Sequence, residues 1–162
     1  MLCVEFHSKM NAIGGDAIEM LHAGTQEAAS NFRALVVGNE SVNFSAGANL
    51  MMVLMEAQEG NWEEIDMMVR AFQSATLALK YADVPVIAAP VGLAIGGGCE
   101  IVLHADRVQA AAETYLGLVE VGVGLIPAGG GTKEMLLRCL ESRPPGSAAD
   151  LLPYVQRAFE TI

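Results

Sequence analysis

Residues 84–132 read VPVIAAPVGLAIGGGCEIVLHADRVQAAAETYLGLVEVGVGLIPAGGGT, and this stretch decides the fold. It contains three glycine clusters and two glutamates, Glu100 and Glu120, that stand in otherwise apolar surroundings. Burying a carboxylate among apolar residues is costly unless the group is paired or its pKa shifts. Two such groups beside backbone-exposing glycines indicate an acid/base site. The alternative is that both are solvated or capping residues at the ends of elements.

The pattern around the glycines alternates between strands and helices. Within this stretch we predict a strand at 84–89, a helix at about 97–105, a strand at 107–111, a loop at 125–131 and a helix at 132–140. The first of these helices would begin at Gly97 and Gly98, where free NH groups and the helix dipole favour negative charge.

The rest of the chain continues the alternation. Towards both ends we predict strands at 2–6 and 34–38, a helix opening at 14–16, a helix from a capping box at 61–64 to about Tyr81, and a last helix over 148–162. Small residues in the loop Phe44–Ala48 would let backbone NH groups approach a ligand closely. Alternating strands and helices place the chain in the α/β class.

Methionines are frequent in the middle of the chain. Because methionine adapts its shape to irregular gaps, we expect these side chains to fill the core rather than line a ligand pocket: Met51, Met52, Met55, Met67 and Met68.

The composition is that of one globular domain. The 162 residues are 52% hydrophobic and 17% charged, which suits a packed core. A net charge of −10 argues against a nucleic-acid groove, which needs clustered basic residues. Three cysteines at unrelated spacings form no metal or disulfide pattern, so we expect a cytoplasmic location. We expect neither a signal peptide nor a membrane span, since the uncharged run 84–99 is short and rich in glycine and proline.

Several common motifs are absent. Ile101 stands where the dinucleotide-binding G-x-G-x-x-G pattern needs its third glycine, and there is no nucleotide P-loop. His104 has no second histidine or cysteine at ligand spacing, so a structural role is favoured over a metal site. What remains are two NH-presenting loops, Phe44–Ala48 and Ile95–Gly98, and two carboxylates. This combination suits enolate chemistry, in which NH groups stabilise a charged oxygen while carboxylates move protons.

At this point the sequence resembles a known family, the enoyl-CoA hydratase (crotonase) superfamily. The blocks that carry the resemblance occur in the family's order and cover nearly the whole chain: Phe44–Leu50, Pro85–Ala89, Gly96–Glu100, Gly124–Pro127 and Gly129–Thr132. The segment His7–Ala12 resembles a variant of the family's R-P-x-x-x-N-A segment. The resemblance implies a spiral of ββα units with strands in two sheets, and an oligomer built on trimers.

Within this superfamily, residues 39–132 are most similar to the hydratase portion of bacterial fatty-acid oxidation proteins that are also 3-hydroxyacyl-CoA dehydrogenases. We therefore interpret residues 1–162 as a crotonase-like core that lacks the family's C-terminal helices. NAD is expected only in a separate dehydrogenase portion of a longer polypeptide. An interrupted spiral should expose an apolar face, so we expect the chain to associate.

The resemblance assigns roles residue by residue. The NH groups of Ala46 and Gly97 match the family's oxyanion hole, and Glu100 and Glu120 match its two catalytic glutamates. Glu100 would activate a water molecule that adds to a 2-enoyl-CoA, and Glu120 would move the proton at Cα. No metal or redox cofactor is expected in this chain. The residues that match the lining of the CoA and acyl channel are Lys9, Ala48, Asn49 and Leu50.

The sequence departs from the family at two places, and other functions stay open. Asn49 stands where many members have Asp, and Leu118 and Val119 replace a common polar residue and Pro. Neither change removes a catalytic group. One alternative is a Δ3-Δ2-enoyl-CoA isomerase, which needs one carboxylate. Another is a non-catalytic module that binds acyl-CoA or serves assembly.

Overall fold

The computed structural model describes residues 1–46, 50–147 and 150–162. The strands are β1 (Leu2–Val4), β2 (Leu35–Gly38), β3 (Ser45–Ala46), β4 (Val86–Ala89), β5 (Leu93–Ile95), β6 (Arg107–Val108) and β7 (Tyr115–Gly117). The helices are α1 (Gly15–Asn31), α2 (Leu50–Glu59), α3 (Trp62–Lys80), α4 (Gly97–Leu103), α5 (Gly131–Glu141) and α6 (Leu152–Thr161), with short 3-10 turns at Lys9–Asn11 and Glu120–Val123.

The strands form two sheets, and every pairing is parallel. One sheet has the order β1-β2-β4-β6, and the other has the order β3-β5-β7. From β2 onwards successive strands alternate between the two sheets, and each pair of strands is followed by helix. The predicted α/β class and the spiral of ββα units are therefore confirmed.

The hydrophobic core lies against the larger sheet. Leu35 and Val37 of β2 pair with Val86 and Ala88 of β4, so their side chains share one face. All four are buried, as period-two alternation requires. The helices close this face with their own buried side chains, which include Leu21 of α1, Leu79 of α3 and Ile101 of α4.

The smaller sheet positions the segments that matter for function. Ala46 of β3 pairs with Ile95 of β5, and Ile95 pairs in turn with Gly117 of β7. Because the three strands run in the same direction, their carboxyl ends meet at one edge. The sequence did not predict any of these strands, since segments of two or three residues are too short to display a period.

The predicted first strand is too long. Residues 2–6 were expected, but β1 ends at Val4. The backbone NH of Phe6 donates to the Asn39 side-chain Oδ1 at 2.6 Å, so it bonds to a side chain and not to a neighbouring strand.

The capping box was also wrong, although the helix start was right. Helix α3 begins at Trp62, but the Asn61 side chain makes no capping hydrogen bond. Its Nδ2 instead donates to the carboxylates of Glu56 (2.9 Å) and Glu59 (3.2 Å) at the end of α2. The asparagine therefore fixes the turn between two helices.

The methionines do not fill the core, which corrects the prediction. Met68 is only partly buried. The other four are exposed: Met51, Met52, Met55 and Met67. Met51, Met52 and Met55 lie on α2, a helix that was not predicted and that has no buried residue. Met67 and Met68 lie on α3, but not among its buried residues. The chain thus presents an apolar helix surface, and association through such a surface stays a prediction.

None of the helices within the described ranges is long and apolar enough to cross a membrane.

Candidate active site

The two glutamates of the sequence pattern lie at the carboxyl edge of the smaller sheet. Gly96 joins β5 to α4 with a φ of +58°, a backbone conformation that favours glycine. Its NH donates to the Gly117 carbonyl oxygen at the end of β7 (2.9 Å). Four residues after Gly96, α4 carries Glu100, and three residues after Gly117, the turn Glu120–Val123 begins. Neighbouring strand ends therefore bring the two carboxylates together.

Glu100 is a buried carboxyl group held by backbone NH groups. Glu100 is 2% exposed, and its Oε1 accepts a hydrogen bond from the Gly131 NH at 2.8 Å. Burial and, to a smaller extent, the nearby charge of Glu120 raise the pKa of Glu100, the NH groups of Gly131 and Gly129 act in the opposite direction, and the net pKa is about 7. The group therefore changes protonation near neutral pH.

Glu120 has an oxygen that the protein leaves without a partner. A Cβ placed at Gly96 would lie 3.2 Å from Glu120 Oε1, so the carboxylate packs directly against this glycine. Within the described part of the chain, the buried Oε2 has no hydrogen-bond partner. Such an atom is available to bind a ligand, since a buried acceptor without a partner is unfavourable.

Both glutamates act electrostatically on the buried thiol of Cys99. Burial and, to a smaller extent, the negative charges of Glu120 and Glu100 raise the pKa of this thiol, and the net pKa is about 11. The pairing of the two glutamates in catalysis stays a prediction.

The two predicted NH donors belong to backbone segments in close contact. Gly97 is the first residue of α4, so its NH has no acceptor within the helix. A Cβ at Gly98 would lie 2.7 Å from the Ser45 carbonyl oxygen, which shows that β3 packs directly on the first turn of α4. Ala46 follows Ser45 and is buried.

The predicted substrate-lining residues have different positions. Lys9 is exposed in the turn Lys9–Asn11, which contacts β3. A hydrogen bond from Asn11 Nδ2 to the Asn43 carbonyl oxygen (2.8 Å) connects this turn to the loop before β3. Leu50 is 41% exposed at the start of α2. Ala48 and Asn49 lie outside the described residues.

Sequence reasoning missed the loop that holds Glu100. Gly129, Gly130 and Gly131 were assigned only to a loop and to a family block. A Cβ at Gly129 would lie 2.3 Å from Phe72 Cε1 and 2.6 Å from Glu100 Oε2, so no larger residue fits there. Three consecutive glycines immediately before a helix were the available indication of such a close approach.

A second buried polar cluster lies behind α4. His104 Nδ1 is 2.7 Å from the Glu100 carbonyl oxygen, and its Nε2 is 3.6 Å from Glu134 Oε1. Lys80 and Lys133 donate to the same carboxylate at 2.6 and 2.8 Å. Against the effect of burial, these lysines lower the pKa of Glu134. A surface cavity of about 420 Å³ is lined in part by Lys80, His104 and Glu134, and its lining includes neither Glu100 nor Glu120. His104 therefore has the structural surroundings that were expected of it.

Replacing Glu100 by glutamine should stabilise the chain at neutral pH. The pKa of Glu100 rises on folding from 4.5 to about 7, so between these values the folded state binds more protons and stability falls as pH rises. Glutamine keeps an oxygen for the Gly131 NH but does not titrate. Relative to the original chain, the variant should gain about 3 kcal/mol of unfolding free energy between pH 4.5 and pH 8, measured by denaturant titration. A difference independent of pH would contradict this account.

Comparisons with known proteins agree with this geometry. Residues 2–143 match the sequence model of the family described as enoyl-CoA hydratase/isomerase. The chain is 50% identical over 160 residues to a probable 3-hydroxyacyl-CoA dehydrogenase of Bacillus subtilis, which covers 98% of this chain and 20% of that protein. It is 37% identical over 131 residues to a putative fatty acid oxidation complex trifunctional enzyme of Rickettsia felis. This match covers 81% of this chain and 18% of that protein. The chain thus spans about a fifth of the length of these relatives.

Solved structures show the same fold. The crystal structure of an enoyl-CoA hydratase from Polaromonas sp. JS666 superposes with a TM-score of 0.80 at 25% identity, and covers 99% of this chain and 57% of that one. An enoyl-CoA hydratase from Bacillus anthracis superposes with a TM-score of 0.71 at 29% identity. The match covers 94% of this chain and 54% of that one. The predicted relationship to the crotonase superfamily is confirmed.

Proposed function

This chain belongs to the enoyl-CoA hydratase/isomerase family, and on that premise we propose that it hydrates 2-trans-enoyl-CoA thioesters to 3-hydroxyacyl-CoA in fatty-acid β-oxidation. The observation that supports the proposal most strongly is the pair of carboxylates, Glu100 and Glu120, at the edge where the strands β5 and β7 end. One is buried with its pKa near neutrality, and the other has a buried oxygen without a partner.

The thioester would bind with its carbonyl oxygen between β3 and α4. Addition of an oxygen nucleophile to the double bond moves negative charge onto this carbonyl oxygen. We assign its stabilisation to the NH groups of Ala46 and Gly97. Each such donor contributes roughly 3 kcal/mol when it points at the developing charge.

The proton transfers balance with two carboxylates. Glu100 takes a proton from a water molecule as the water oxygen forms a bond to Cβ of the enoyl group. Glu120 delivers a proton to Cα, which completes the addition of one water across the double bond. The next cycle needs the proton to return from Glu100 to Glu120, and the charge interaction between these two carboxylates supports that exchange.

The rate should depend on pH in a way that identifies the base. If Glu100 activates the water, it must be ionised, so kcat/KM for crotonyl-CoA should rise with pH through about 7. The loss of the conjugated enoyl-thioester absorbance measures this rate. A rate that falls through the same range would mean that Glu100 acts as the acid and Glu120 as the base. No turnover by a chain that is folded, as circular dichroism can verify, would contradict the proposed function.

The variant Glu100→Gln distinguishes an isomerase from a hydratase. An isomerase moves one proton with one carboxylate, so Glu100→Gln should leave conversion of a 3-enoyl-CoA largely intact. Under the hydratase proposal, the same variant loses activity on the 2-enoyl-CoA. Both substrates can be assayed with one protein preparation. Hydration by the original chain that the variant loses supports the hydratase, whereas conversion of the 3-enoyl-CoA by both proteins, with no hydration by either, supports the isomerase.

We also propose that this reaction accompanies a dehydrogenase step in a longer polypeptide. The product, a 3-hydroxyacyl thioester, carries the alcohol that a 3-hydroxyacyl-CoA dehydrogenase oxidises. The name of the Bacillus subtilis relative supports this link. The NAD that such a step uses would bind to a separate dehydrogenase portion of the longer polypeptide.

A further inference from the structure

We propose that Thr76 of α3 is a positioning residue for Glu100, because its hydroxyl group fixes the Gly129–Gly131 loop whose backbone NH groups hold the Glu100 carboxylate. The catalytic consequence of this inference rests on the proposed function. The structural part, which links Thr76 to the state of the Glu100 carboxyl group, does not depend on it.

The loop needs a partner from outside because it has no side chains of its own. It consists of three glycines, and Gly130 has a φ of +104°. Glycine gains the most conformational freedom when it is not restrained, so the direction of these NH groups depends on what the carbonyl groups bind. Gly131 in turn begins α5, and its NH donates to Glu100 Oε1.

Helix α3 supplies the contacts to this loop. The Thr76 hydroxyl donates to the Gly129 carbonyl oxygen at 3.0 Å, and this hydrogen bond is buried. Gln73 Nε2 donates to the Ala128 carbonyl oxygen at 2.7 Å from an exposed position. Phe72, one turn before Thr76, packs against both Gly97 and Gly129. Thr76 follows Phe72 by four residues and Gln73 by three, so it is a neighbour of each of them on the helix surface.

Among these contacts, the one from Thr76 is the most specific restraint. The Gln73 contact is exposed, where water can replace it, and Phe72 also supports the first turn of α4. Thr76 is fully buried, and its single hydroxyl proton is shared between two acceptors at 3.0 Å, the Gly129 carbonyl oxygen and the Gln73 carbonyl oxygen of its own helix. Its removal would leave the buried Gly129 carbonyl without this donor, which is unfavourable.

A displaced loop should change Glu100 in a defined direction. The NH groups of Gly129 and Gly131 oppose the rise in pKa that burial imposes on Glu100. A weaker hold by these donors therefore raises the pKa further. The titratable groups near Glu100 in the described residues are Glu120, the Cys99 thiol and His104, whose Nδ1 lies 2.7 Å from the Glu100 carbonyl oxygen. A substitution at Thr76 changes none of these groups.

Three variants form the test. Thr76→Val removes the hydroxyl and keeps the shape, and Thr76→Ser restores a hydroxyl. Thr25→Val is the matched control, because Thr25 is a buried threonine in α1 whose hydroxyl donates to the Leu21 carbonyl of its own helix (2.7 Å). Thr25 and Thr76 variants share the chemical change, but only one of them affects the loop.

The primary measurement does not require activity. The Glu100 carboxyl carbon is followed by NMR with 13C-labelled glutamate over a pH titration, and its signal is assigned by its loss in Glu100→Gln. In Thr76→Val the midpoint should move to higher pH by about 0.5, and Thr76→Ser and Thr25→Val should stay at the original midpoint. An unchanged midpoint in Thr76→Val, or an equal change in Thr25→Val, would overturn the proposal.

Turnover of crotonyl-CoA then tests the catalytic consequence. In Thr76→Val we expect kcat to fall by roughly tenfold at nearly unchanged KM, with recovery in Thr76→Ser, because small misplacements of a reacting group reduce rates strongly. A shifted midpoint in a chain that does not turn over would refute the proposed function and leave the positioning role standing. Turnover with an unshifted midpoint would refute the positioning role of Thr76 and leave the proposed function standing.

Discussion

Replacing Glu120 by glutamine is expected to abolish hydration while the fold is retained. The variant loses the group that delivers the proton to Cα, and proton transfer by a positioned side chain contributes roughly 10² to 10⁴ in rate. Glutamine has the same shape as glutamate, and within the described residues the buried Oε2 of Glu120 makes no hydrogen bond that the change would break. The measurement is kcat for crotonyl-CoA, with thermal unfolding recorded in parallel.

The matched control is a glutamate outside the site. Glu19 is exposed on α1, so Glu19→Gln should turn over at the original rate. The double variant of Glu100 and Glu120 should be little slower than either single variant, because residues that act as a unit lose activity in a non-additive way. A Glu120→Gln protein with more than about a tenth of the original activity would contradict its role, since that loss is below the range for proton transfer.

Replacing Gly98 by alanine is expected to disable the site by a different route. The added Cβ would lie 2.7 Å from both the carbonyl oxygen and the Cβ of Ser45. These atoms belong to the backbone and to a buried side chain, so β3 must move away from the first turn of α4. The shift separates Ala46 from Gly97, the two residues that we assign to the thioester oxygen.

Both stability and rate should respond to this change. Overpacking of this kind lowers the free energy of unfolding by about 2 kcal/mol, and loss of an oxyanion donor lowers kcat by roughly 10²-fold or more. Gly15→Ala serves as the control, since a Cβ at Gly15 meets nothing within 4 Å and lies in the first turn of α1. If Gly98→Ala kept full activity, the assignment of the NH groups would be wrong.

The pairing of Glu100 with Glu120 could be anticipated from the sequence, but its structural cause could not. Two isolated carboxylates beside glycines indicated a site. Their proximity depends on β5 and β7, which have three residues each and show no usable period. The spiral of ββα units followed from the resemblance to a family, and not from hydrophobic patterning.

Helices and buried strands were easier to predict than the contacts around them. The helix that ends near Tyr81 was predicted, but no local pattern indicated the hydrogen-bond partner of Thr76. The structure gives the Thr76 hydroxyl a carbonyl partner 53 residues away. The methionines of α2 were placed in the core because sequence alone cannot distinguish an apolar helix that is covered from one that is exposed. Long-range hydrogen bonds and the burial of a given face are tertiary properties, and a local pattern does not contain them.

We propose that the site formed by Glu100 and Glu120 adds water to an enoyl thioester. The most direct test is to incubate the chain with crotonyl-CoA in 18O-labelled water and to determine the mass of the product by mass spectrometry. Our account predicts a 3-hydroxy thioester that carries one solvent-derived 18O atom, and no such product with Glu120→Gln. An isomerised product without solvent oxygen, or the same labelling in both proteins, would contradict it.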